Sequence, residues 1–101
     1  MAAFLIVRAE VDPAVRDAFD AWYQNEHLPE AVEAFSATGA RRGWSEVDDN
    51  VHIAFYEFRD LADVNRVMAS DALKQMIGEF DRNWHGRVTR TREVVELIQA
   101  I

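Results

Sequence analysis

A chain of 101 residues, half of them hydrophobic, is long enough for one ordinary domain that buries roughly 60 to 70% of its unfolded surface, and too short for a second. A net charge of −7 and a pI of about 4.8 exclude the basic footprint of a nucleic-acid binder, and an anionic membrane surface would repel the chain. The absence of cysteine excludes a disulfide framework, a thiol nucleophile and a thiolate metal site, and favours a reducing, cytoplasmic setting. The opening run Met1 to Arg8 is too short for the apolar core of a signal peptide, and no other run approaches a membrane span.

In chain order, Ala3 to Val11 is short, β-branched and aromatic, with Phe4 and Ile6 on one face and Leu5, Val7, Ala9 and Val11 on the other. Both faces of this strand are therefore apolar. Asp12-Pro13 is a helix start, Asp as N-cap and Pro at the first position where its missing N–H is not needed. The helix should run to Glu26 or His27, because Pro29 disfavours helical geometry at Leu28; a further turn or more can follow through Glu33 to Phe35. Ser36 to Gly39 is loop. A second strand fits Ala40 to Val47, Asp48-Asp49-Asn50 a turn, and Val51 to Phe58 a third strand, again apolar on both faces. Asp60 caps a helix to about Met68. Ser70-Asp71 interrupts it, a second piece runs from Ala72 to Trp84, and Gly86 ends that piece. The last strand, Arg87 to about Leu97, interleaves Val and Thr with Arg90, Arg92, Glu93 and Glu96.

This β-α-β-β-α-β order is the split βαβ, ferredoxin-like α+β plan over residues 1–101: a four-stranded antiparallel sheet with helices on one face. The other face keeps apolar residues on strands one and three and calls for a cover. A second copy packed sheet to sheet, giving a dimeric α+β barrel, is the expected one. The alternative is a monomer whose open face is made polar on strands two and four by Arg42, Arg90 and Arg92.

The segment Phe19-Asp20-Ala21-Trp22-Tyr23, followed by Glu26-His27-Leu28-Pro29, then Gly39 and Ala40-Arg41-Arg42, resembles the EthD-like group of dimeric α+β barrel proteins. The resemblance covers nearly the whole chain. It implies a stand-alone homodimer with a pocket in each subunit between helices and sheet. Related barrels include lactone isomerases, cofactor-free monooxygenases, polyketide cyclases and haem-handling enzymes. The absence of cysteine departs from relatives that use a thiol.

Positions 15, 19, 22, 23, 26 and 27 fall on one side of the first helix. They begin Val, Phe, Trp and Tyr and end in Glu26 and His27, which are costly to bury alone; such a stripe marks a pocket mouth. His27 is the candidate acid/base, since imidazole takes and gives a proton near neutrality, and Tyr23 is the candidate donor to a developing oxyanion. Glu26, Glu30 and a helix C-terminus would favour the imidazolium, whereas Trp22 and Tyr23 would favour the neutral ring. The bland alternative is a helix-capping His27 bonded to a backbone carbonyl. Trp22, Trp44, Phe55 and Trp84 are candidate apolar walls, with Glu26 and His52 as candidate polar lining. Trp84 equally continues the core stripe Leu73, Met76, Ile77 and Phe80, and His52 could point either way from its strand. Arg42, if it faces the barrel, pairs with Glu10, Glu57 or a partner acid, or holds a substrate carboxylate.

No histidine pair has ligand spacing, so no metal is expected, and no phosphate loop, nucleophile elbow or dinucleotide fingerprint occurs, so no cofactor is expected. Haem would need His52 or His85 as axial ligand. Two readings remain: a cofactor-independent isomerase-, cyclase- or monooxygenase-like enzyme for an aromatic, lactone or polyketide-like molecule, and a carrier holding a hydrophobic ligand without turnover.

Overall fold

The computed structural model describes residues 1–101 and follows the expected order. Strands β1 (Ala3–Val11), β2 (Gly39–Trp44), β3 (Val51–Phe58) and β4 (Val88–Glu96) form one antiparallel sheet in the order β2-β3-β1-β4. In the register Leu5 lies opposite Tyr56 and Val94, and Val7 opposite Ala54 and Arg92. Cα partners share a face, so Leu5, Val7, Ala9, Tyr56, Ala54 and His52 look toward the helices with Arg90 and Arg92.

The region between β1 and β2 departs from the expected break. A 3₁₀ turn (Pro13–Val15) leads into α1 (Arg16–Trp22), a π-helical turn (Tyr23–His27) and α2 (Leu28–Phe35) without interruption. Pro29 has no N–H, and its ring would clash with a carbonyl one α-turn earlier; widening the preceding turn accommodates it, and Leu28 N–H donates to Tyr23 C=O instead. The helix stops at Ser36, whose left-handed φ of 54° ends it as glycine usually does. The second strand is shorter than expected, because the Ser45 hydroxyl accepts the N–H groups of Val47 and Asp48 and peels the chain off the sheet.

Helices α3 (Leu61–Met68) and α4 (Asp71–Trp84) start as the sequence indicates. Asp60 accepts from Asp63 N–H, and Ser70 from Leu73 N–H. Gly86, at φ 79°, makes the turn into β4. At the other end of that junction, Asp12 accepts from Ala14 N–H and Arg87 Nε, so one carboxylate ties the first helical turn to the start of β4.

The core lies between the helices and one sheet face, around the fully buried Phe19, Leu5, Phe58 and Val64. No helix covers the other face, where Phe4, Ile6, Ile53 and Phe55 are only partly buried. No helix is long and apolar enough to cross a membrane. The placement of Arg42, Arg90 and Arg92 corrects the monomer alternative above. All three point to the helices, and the open face is polar through Arg41, Glu57, Thr89, Thr91 and Glu93 instead.

Candidate functional site

His27 sits at the end of the π turn with 7% of its surface exposed. In an α-helix, residues five apart lie on different sides; the π turn closes i→i+5 and brings Trp22 and His27 into a stack, ring centroids 4.5 Å apart and planes 17° apart. Tyr23 and Phe80 meet the same imidazole edge-on. Its Nδ1 is buried and has no hydrogen-bond partner, so His27 does not cap a helix through a carbonyl. Burial, reinforced by the charge of Arg90, pushes its pKa down to about 4, which makes the ring neutral at pH 7. Glu26, expected beside it, projects to solvent, because the wider turn rotates it off the buried stripe.

Next to His27, the Tyr23 and Tyr56 hydroxyls form a buried hydrogen bond of 2.8 Å. Burial pushes the Tyr23 pKa up to about 12 and Tyr56 well above its ordinary value, so both phenols are neutral donors and acceptors. These three residues line a narrow cavity between the sheet and the helices, about 30 Å³ of space that a water can enter and about 350 Å³ once the solvent in its open mouth is counted. Leu5 and Val7 form its floor; Phe35, Leu73, Met76, Ile77 and Phe80 form its apolar walls; Arg90 and Arg92 are its charged rim.

Of the expected site residues, the cavity gathers Tyr23 and His27 and leaves the others elsewhere. Trp22 backs the imidazole. Trp84 packs in the core against Phe19 and Trp22, with its indole N–H buried and unpartnered. Phe55 lies on the open face opposite Ile6 and cannot be a wall of this pocket, since alternation sends it away from the helices.

Trp44 and His52 belong to a second cluster at the β2 edge. There Asp20 accepts from Arg42 at 2.8 Å and from the Trp44 indole at 2.9 Å. Arg42 also lies 3.3 Å from His52 Nε2, and as it can only donate, the His52 proton resides on Nδ1. His52 points to the helices, is 1% exposed, and is held at a pKa of about 4 by burial and then by Arg42. Arg42 thus pairs with Asp20, neither with Glu10 nor with Glu57; the Asp20 carboxyl, bonded by Arg42 and Trp44, is held below its ordinary pKa. Arg16 closes the cluster, 4.1 Å from the Trp44 ring centroid. His85 is exposed beside Gly86.

The residues that sequence reasoning missed are Tyr56, Arg90 and Arg92. Their signal was the shared parity of Tyr56 with His52, and of Arg90 and Arg92 with Val88 and Val94, but parity alone does not say which face meets the helices. No three acidic or histidine side chains converge as a metal-binding group would.

Fold and site together define a ferredoxin-like α+β domain with a small apolar pocket between helices and sheet. Among solved structures the chain is similar to an EthD (ethyl tert-butyl ether) family protein from Bacillus halodurans, at TM-score 0.73 and 17% identity over 97% of this chain and 100% of the other. It is likewise similar to a variant of SnoaB, a cofactor-independent oxygenase from Streptomyces nogalater, at TM-score 0.69 and 12% identity over 99% and 96% of the two chains. A third likeness is to a protein described as an antibiotic biosynthesis monooxygenase from Deinococcus radiodurans, at TM-score 0.70 and 10% identity over 98% and 95%. At such identities the likeness establishes the fold. No family profile and no curated protein sequence matches the chain.

Proposed function

We propose that this protein is a small-molecule enzyme that needs no cofactor, of the isomerase, cyclase or monooxygenase type, acting on an aromatic, lactone or polyketide-like substrate. The observation that carries the reading is His27, a buried neutral imidazole with an unpartnered nitrogen, lining an apolar cavity beside a hydrogen-bonded tyrosine pair. His27 takes a proton from a carbon next to a carbonyl, or from an acidic hydroxyl. The electron pair moves onto the carbonyl oxygen, which Tyr23 stabilises by donating a hydrogen bond, and the imidazolium returns the proton at the same or another atom. Held at about 4, His27 is a weak base; the negative charge formed next to it raises its proton affinity during the transfer. The oxygenase and monooxygenase descriptions of two structural neighbours support the monooxygenase branch, in which O2 as co-substrate oxidises the carbanion in place of the returning proton.

A homodimer is part of the proposal. Phe4, Ile6, Ile53 and Phe55 form an apolar strip on the face without helices, suited to a second copy packed sheet to sheet.

The test is solvent-deuterium exchange at the acidic C–H of a panel of β-dicarbonyl, lactone and phenolic compounds, with the His27 ring followed by NMR. Exchange catalysed by the protein and abolished in His27→Gln, with binding retained, supports the enzyme. Displaced His27 resonances without exchange in either protein leave the carrier reading in its place.

A further inference from the structure

On β4 the residues Val88, Arg90, Arg92 and Val94 share the helix-facing side, which brings two guanidinium groups to the rim of an otherwise apolar cavity. Arg90 is accounted for: it donates to Asp81 at 3.2 Å, and its guanidinium lies 3.8 Å from the centroid of the Phe80 ring. Arg92 has no such partner. It is half-buried and makes no ion pair and no side-chain hydrogen bond within the chain. Its face is also the one opposite the strip a second copy would cover. Asp81 acts on Arg92 only at a distance, so a guanidinium drawn partly out of water without a hydrogen-bonded acceptor in the chain gains from a ligand that supplies one.

The tyrosine pair carries the same message independently. Two hydroxyls share a single hydrogen bond, so one of their two O–H protons has no acceptor in the chain. Beside the His27 imidazole, the cavity therefore presents a cation and a hydroxyl donor, neither bonded to an acceptor in the chain, within otherwise apolar walls. An oxyanion on an apolar body satisfies both.

We propose that the pocket takes its ligand as an oxyanion, a carboxylate or an ionised enol or phenol on an apolar body, with Arg92 binding the charge and the Tyr23–Tyr56 pair donating the second hydrogen bond. This rests on the pocket reading above and adds the charge state of its occupant. It also separates the roles of the rim: Arg92 meets the ligand, while Arg90 is held by Asp81 and Phe80.

The test compares anions with neutral analogues of matched shape: 2-naphthoate against 2-naphthamide for the carboxylate, and 4-nitrophenolate against 4-nitroanisole for the phenolate. Affinity is read by titration calorimetry, and location by the His27 ring resonances. At least one anion should bind about tenfold or more tightly than its neutral analogue, and added salt should narrow the gap. Arg92→Gln, which breaks no bond within the chain, should erase the preference, and Arg92→Lys should keep part of it. Equal binding of anion and neutral analogue, with His27 resonances displaced by both, overturns the oxyanion assignment and leaves the pocket reading intact. If none of the four compounds displaces His27, the pocket reading fails and takes this proposal with it.

Discussion

At the scale of single residues, the site is governed by desolvation. His27 and His52 are both held at about 4, below the ordinary histidine value of 6.5. Their neutral forms are favoured by folding, so stability is full above pH 6.5 and falls as the pH drops from 6.5 toward 4, where the unfolded chain binds protons that the folded one resists. Each histidine contributes up to roughly 3 kcal/mol to that loss. Urea melts across this window should show the decline, and a His27→Gln, His52→Gln double variant should flatten it. The tyrosine pair offers a second check. Tyr23→Phe strands the Tyr56 hydroxyl at a cost of about 1–3 kcal/mol, whereas the variant with both tyrosines changed to Phe should recover part of that loss in a double-mutant cycle.

At the scale of elements, the π turn is the feature on which the site depends. Pro29 prevents a regular α-turn ahead of it, and the widened turn sets Trp22 against His27 while turning Glu26 outward. The helix that follows is anchored by Ala31 and Phe35 in the core, so the chain does not break. The caps are simpler. Ser70→Ala removes the acceptor for Leu73 N–H at the head of α4 and should destabilise the protein by about 1 kcal/mol in urea melts. The loss reaches the site, because α4 carries Leu73, Met76, Ile77 and Phe80, four walls of the cavity.

For the whole molecule, the sheet face without helices is where the proposed homodimer is tested. A chain of 11.6 kDa with Ile6 and Phe55 paired at the centre of an open, partly apolar face should sediment as a dimer at low micromolar concentration. Phe55→Asp, placing a charge in that strip, should shift the mass to a monomer by light scattering while leaving the His27 resonances unchanged, since Phe55 and His27 lie on opposite sides of the sheet.

Much was legible along the chain. Caps at Asp12, Asp60 and Ser70, the turn glycine Gly86 and period-two strands gave the element order, because each of these signals acts within a few residues. The burial of Tyr23 was legible for the same reason, from one helical stripe, but that stripe equally held the exposed Glu26, and it is the π turn that sets His27 against Trp22. What the sequence left open concerned faces and distances across the fold. Period-two alternation tells which residues travel together and is silent on which side meets the helices; the pairing of β1 with β3 and β4 turned Arg90, Arg92 and His52 inward and Phe55 outward. The partners of Tyr23 and Arg42 lie 33 residues on at Tyr56 and 22 residues back at Asp20, contacts that only packing specifies. Length, charge and local pattern determined a small acidic ferredoxin-like domain whose first helical stripe ends in Glu26 and His27. Tertiary structure alone decided that the pocket is floored by β1, roofed by α4 and rimmed by two arginines, because those groups are brought together by chain folding and not by spacing.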